Sequence, residues 1–122
     1  MKTLKKIVIN IIPHNEQRYD TLGDWFPITK GVLKINVSKF NDSRYAYLVA
    51  VHELLEAGLC EQKGISEESV REFDLKFKGK GEPGDSVDAP YHDYHWFSTR
   101  VEMALANELK VDWEEYNESE PL

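Results

Sequence analysis

Val49-Ala50-Val51-His52-Glu53-Leu54-Leu55-Glu56-Ala57 is an apolar run broken by one histidine and two acids. Read as a helix, it carries Leu48, Val51, Leu55 and Leu59 in one stripe. His52 and Glu56, four residues apart, project side by side along the edge of that stripe, and Glu53 points about a quarter turn away. A ligand placed at such an edge reaches inward without being lost to solvent. The spacing His-Glu-x-x-Glu departs by its last residue from the zinc-hydrolase signature His-Glu-x-x-His. There the outer residues bind metal and the inner Glu activates water. A second carboxylate is an acceptable zinc ligand, but the pattern is then far less specific. The alternative is an ordinary amphipathic helix with Glu53 and Glu56 solvated and His52 hydrogen-bonded at the core boundary.

A second segment bears on that choice. Tyr91-His92-Asp93-Tyr94-His95-Trp96-Phe97 opens a helix running to about Leu109. Tyr91, Ser98, Leu105 and Leu109 define its inward stripe, and His95 and Glu102, seven apart, fall on that stripe. Polar groups on the apolar side of a helix must find partners or they destabilise the fold. If the two helices pack side by side, His52 and Glu56 meet His95 and Glu102. With a metal, zinc or another divalent ion, His52, Glu56 and His95 are the ligands and a fourth position is open to water. Glu102 or His92 is then a fourth ligand or an outer partner, and Glu53 is the general base. Without metal, the same side chains form a buried network that sets helix register. Cys60, one turn beyond Glu56, reads as a small buried thiol before it reads as a soft ligand.

The remaining chain supplies a sheet and a third helix. Leu4 to Ile12 is β-branched and reads as a well-buried strand ended by Pro13. His14, Glu16, Gln17 and Arg18 form a polar cluster in the loop that follows. Trp25 to Ile28 and Val32 to Val37 flank Thr29-Lys30-Gly31 as a hairpin. In its second arm Leu33, Ile35 and Val37 face one way, and Pro27 puts the first arm at an edge. Asn41, Asp42 or Ser43 caps the first helix, which stops near Gly64, and Ser66 opens the next. A shorter one runs from Glu67 to about Lys78, with Asp74 as a surface acid. Residues 79–90, rich in Gly and Pro, form a flexible connection or a lid, with no phosphate-loop spacing. Trp113 and Tyr116 fold back on the body, and residues 117–122 fray. The expected class is α+β: one domain, residues 1–122, in which a small, mainly antiparallel sheet packs against two long helices and one shorter helix.

Composition narrows function. A formal net charge of -7 disfavours binding to duplex nucleic acid, although a local basic pocket for a nucleotide is still compatible with it. The single cysteine excludes an internal disulfide and fits a reducing compartment. No apolar stretch reaches transmembrane length, no serine sits in a nucleophile elbow, and oligomeric state is not legible. An anion-binding protein would use Arg18, Arg44, Arg71 and Arg100, with Tyr19, Trp25, Trp96 and Phe97 stacking on a base. Arginines facing one pocket favour such a binder; imidazoles converging within ligand distance favour an enzyme. Of these residues, Trp96 and Arg100 share a helix with His95 and are the ones assigned to ligand contact.

Several short motifs resemble a group of small bacteriophage and prophage proteins with a zincin-like His-Glu-x-x-Glu helix. They are Ile12-Pro13-His14 with Gln17-Arg18-Tyr19, Gly23-Asp24-Trp25, Val51 to Ala57, Phe73-Asp74, Asp88-Ala89-Pro90-Tyr91 and Val111-Asp112-Trp113, spanning nearly the whole chain. The resemblance implies a phage accessory protein in the cytoplasm of an infected bacterium, acting against a host defence component. As an enzyme it would hydrolyse a peptide or a phosphodiester, including a cyclic nucleotide immune signal. As a non-enzymatic binder it would sequester such a signal or inhibit a host protein.

Overall fold

The computed structural model describes residues 1–122. Strands β1 (Lys6–Ile12), β2 (Gly23–Trp25) and β3 (Val32–Ser38) form one sheet in the order β1-β3-β2. Helices α1 (Ser43–Lys63), α2 (Glu67–Lys76), α3 (His92–Glu108) and α4 (Trp113–Glu118) follow, which makes the fold α+β. β3 is central because it alone alternates cleanly: Leu33, Ile35 and Val37 are buried, while Lys34 is exposed. Its antiparallel neighbour β2 is joined to it through the expected hairpin. Thr29 bridges Val32, and Lys30 and Gly31 both take positive φ, 54° and 77°, as a tight two-residue turn demands.

β1 differs from its expected burial. It lies parallel to β3 in register from Lys6↔Val32 to Ile12↔Ser38, so the sheet is mixed, with one antiparallel and one parallel neighbour of β3. Ile7, Ile9 and Ile11 share a face with Leu33, Ile35 and Val37, yet are 46%, 41% and 58% exposed. The reason is position: α1 packs over β3 and β2, leaving β1 as an uncovered edge.

α1 begins at Asp42, whose side chain accepts from Arg44 N, and ends at Gly64, where Ile65 N reaches back to Cys60 O. Its buried face is rotated from the expected stripe. Leu48 of that stripe is fully buried, but it is Val49, His52, Glu56, Ala57 and Cys60 that are buried with it, whereas Val51, Leu55 and Leu59 are half-buried. His52 and Glu56 therefore sit at the centre of the inward face instead of its edge. α1 packs along α3, which buries His95, Ser98, Glu102 and Ala106 at helical spacing. Residues 117–122 lie against the body: Leu122 N donates to Lys39 O, and its carbonyl accepts from His14 N.

The polar loop after β1 is structural. His14 bridges Ser38 Oγ and Asp20, and Gln17 donates to Ser38 Oγ and to the carbonyls of Leu22 and Asn36. Arg18 grips Asp24 through two hydrogen bonds of 2.8 Å, reaches Glu67 at 2.9 Å, and lies over the Phe26 ring. That clamp ties the loop, the edge strand β2 and the start of α2 together. No helix is long and apolar enough to cross a membrane.

Candidate metal centre

Three atoms converge between α1 and α3. His52 Nε2 is 3.1 Å from Glu56 Oε2 and 3.2 Å from His95 Nδ1, and His95 Nδ1 is 3.2 Å from the same Glu56 oxygen. All three residues are buried. The outer nitrogens of both rings are already committed. His52 Nδ1 is 2.8 Å from Glu102 Oε1, and Tyr116 Oη donates to Glu102 Oε2 at 2.5 Å. His95 Nε2 is 3.1 Å from both Asp85 Oδ1 and Glu82 Oε2. A carboxylate can only accept, so each outer nitrogen carries the ring's proton. For neutral rings, two imidazole lone pairs and one carboxylate lone pair then point at one another, an arrangement that requires a cation.

Either protons or a metal can supply that positive charge. For protons alone, burial would lower the pKa of His52, but hydrogen bonds to Glu102 and Glu56 outweigh it and hold the ring well above its ordinary value. Burial likewise opposes protonation of His95, while Glu56 and Glu82 carry it to about 10. Burial would raise Glu56; the two imidazoles instead bring it down to about 2. This metal-free state sets two imidazolium nitrogens face to face at 3.2 Å, a like-charge contact. A divalent ion removes it. Ligands at about 2.0–2.1 Å from a tetrahedral ion are spaced about 3.3 Å apart, close to the observed triangle. The donor set of two imidazoles and one carboxylate, each imidazole backed by an outer carboxylate, also matches what a zinc-type ion takes. Trp25 Nε1 donates to Glu56 Oε1 at 3.4 Å, turning the other oxygen toward the histidines.

Two glycines let this centre close up. A Cβ on Gly84 would lie 2.5 Å from His95 Cγ, so residues 83–85 dock directly on the imidazole and deliver Asp85. The loop expected to be a flexible connection thus buries Gly84 and Ala89 and supplies both outer partners of His95. A Cβ on Gly23 would lie 2.4 Å from Glu53 Cγ, so β2 makes room for that carboxylate. Glu53 has no hydrogen-bonding partner in the chain. Burial first, then the neighbouring Glu56, raises its pKa well above the ordinary carboxylate value.

Glu102 is thus a partner of the outer nitrogen of His52 and not one of the three converging groups. His92 stands apart: its Nδ1 bonds the Gly84 carbonyl at 2.9 Å, so it fixes the loop and lies outside the converging triangle of His52, Glu56 and His95. Trp96 is half exposed and lines the cleft beside the centre. Arg100 is exposed, lies by the Phe97 ring and is absent from the cleft wall. Cys60 is fully buried, and burial raises its thiol pKa. Sequence reasoning missed Glu82, Asp85, Trp25 and Tyr116 as partners of the site. It also took Asp74 for a surface acid. That carboxyl is half-buried in the cleft, accepts from Tyr19 and Tyr91, and is raised by burial to about 6. No family model, curated protein or solved structure matches this chain.

Proposed function

We propose that the protein is a small zinc-dependent hydrolase, with His52, Glu56 and His95 as the metal ligands and Glu53 as the general base. The observation that carries this reading is the convergence of three lone-pair atoms at 3.1–3.2 Å whose outer nitrogens are pinned by Glu102, Asp85 and Glu82. When bound, a divalent ion supplies Lewis acidity that polarises a substrate oxygen and acidifies water.

The chain does the rest. Glu102, itself held by Tyr116, presents His52 Nε2 inward, and Asp85 and Glu82 do the same for His95 Nδ1. Glu53 follows His52 in sequence, projects into the cleft and has an unpaired carboxylate that can take a proton from the attacking water. Tyr91 and Asp74 line the same wall, the tyrosine hydroxyl donating to the carboxyl, and Asp74, raised by burial to about 6, can carry a proton to a leaving group.

The competing reading, a binder of a nucleotide signal, needs arginines in one pocket. Arg18 is held by Asp24 and Glu67, Arg71 by Glu67, and Arg44 by Asp42, and none of the four candidate arginines lines the cleft. The phage resemblance supports an accessory role in the cytoplasm of an infected bacterium, with a host defence component as target. Glu53→Gln is the decisive variant. It should lower hydrolysis by roughly 10²-fold or more while metal content is unchanged and the melting temperature is equal or higher. Full activity in Glu53→Gln would remove the assigned base and with it this mechanism.

A further inference from the structure

The cleft in front of the triad has a volume of about 1180 Å³. Its wall has eight carboxylic acids, among them Asp20, Glu82, Asp85 and Glu120 towards the rim, and neither a lysine nor an arginine. Two apolar side chains stand in it uncovered: Trp96, 52% exposed, and Met103, 43% exposed, seven residues apart on one face of α3. Trp113 lines the wall as well.

We propose that the cleft takes a cationic peptide segment, an apolar side chain seated on Trp96 and Met103 with basic residues on either side, and rejects phosphodiesters. This rests on the hydrolase reading and names its substrate class. A dication at the triad offsets two charges, which leaves the wall negative even with Asp74 carrying a proton. A phosphodiester would bring further negative charge into a low-dielectric concavity with no cationic side chain to receive it. A basic segment gains from the same field. The size points to a peptide over a small amine, since the cleft exceeds the roughly 300–1,000 Å³ typical of small-molecule pockets. The half-exposed indole and thioether, on one wall of the cleft, give an apolar residue a surface to cover.

The test uses zinc-loaded full-length protein and three probes: two internally quenched peptides with one Leu-Phe centre, flanked by lysines in one and glutamates in the other, and bis(p-nitrophenyl) phosphate. The lysine peptide should be cleaved with kcat/KM roughly tenfold or more above the glutamate peptide, the gap narrowing as salt rises. Trp96→Ala should raise KM several-fold with little change in kcat. Equal cleavage of both peptides, preference for the glutamate peptide, or turnover of the phosphodiester alone overturns the proposal. If no probe is cleaved, binding to zinc-loaded Glu53→Gln, read by fluorescence anisotropy of labelled peptides, still decides it. Tighter binding of the lysine peptide upholds the proposal, and equal or absent binding ends it. Failure of the hydrolase reading looks different: either the triad takes up no zinc, or Glu53→Gln cleaves as fast as the wild type.

Discussion

Glu102→Gln separates the outer carboxylate from the ligands themselves. Glu102 Oε1 lies 2.8 Å from His52 Nδ1 and Oε2 accepts from Tyr116 Oη at 2.5 Å, so a glutamine of the same shape keeps one acceptor for the imidazole. It removes the charge, and its amide group cannot accept from Tyr116. His52 becomes less basic and less firmly oriented. Loss of an outer partner costs about 10- to 100-fold in metal affinity, or roughly 1.4–2.7 kcal/mol. Competition with a chromophoric chelator at neutral pH measures it, with far-UV circular dichroism confirming that the variant is folded. Tyr116→Phe, which leaves the carboxylate in place, should show only a few-fold loss. A folded Glu102→Gln protein with wild-type zinc affinity would refute the claim that Glu102 orients a ligand.

Other outcomes follow from the same geometry. Asp85→Asn alone should weaken zinc only slightly because Glu82 shares the Nε2 proton of His95, whereas the double variant with Glu82→Gln should lose about tenfold or more. Gly84→Ala drives a methyl into the His95 ring and should lower both stability, by about 1–3 kcal/mol, and zinc affinity; Gly23→Ala drives one into Glu53 and should lower activity with zinc retained. Metal-free protein should be most stable in acid-to-neutral solution. His95, raised to about 10, contributes stability that is complete below its unfolded value near 6.5 and is lost as pH rises through 10. Glu56, lowered to about 2, contributes stability present above about 4.5 and lost as pH falls through 2. Zinc displaces the ring protons, so saturating zinc should move the maximum of a melting-temperature profile to higher pH, and an unmoved maximum counts against the ligand assignment.

What the sequence reveals is mostly local. The Thr29-Lys30-Gly31 turn and the Gly64 terminus are read from a few adjacent residues and hold in the structure, and of the three cap candidates Asn41, Asp42 and Ser43 it is Asp42 that caps α1. The meeting of α1 and α3 is legible because two polar residues on each helix need buried partners. β1 is misjudged because a β-branched run reads the same whether a helix covers it or not, and its parallel pairing depends on where the chain returns. Helical spacing puts His95 on the inward stripe and His92 beside it, but it does not reveal that His92, the first residue of the helix, turns to the Gly84 carbonyl of the preceding loop. Glu82 and Asp85 lie in an irregular segment with no periodicity, so nothing local aims them at His95. Gly84 was a usable signal only as one more glycine in a flexible run. Arg18 and its carboxylates, 6 and 49 residues away in sequence, form a clamp that no local pattern foretells.

The most direct test is zinc stoichiometry by elemental analysis, on protein purified without a metal-chelating column and again after dialysis against zinc and removal of excess. The convergence of His52, Glu56 and His95 predicts one ion per chain, bound tightly enough to survive gel filtration. His95→Ala and Glu56→Gln should lose it, while His92→Ala, which only fixes the loop, should retain it. Wild-type protein that stays folded and takes up no divalent ion would contradict the metal centre and leave the cluster as a protonated network that sets the register of two helices.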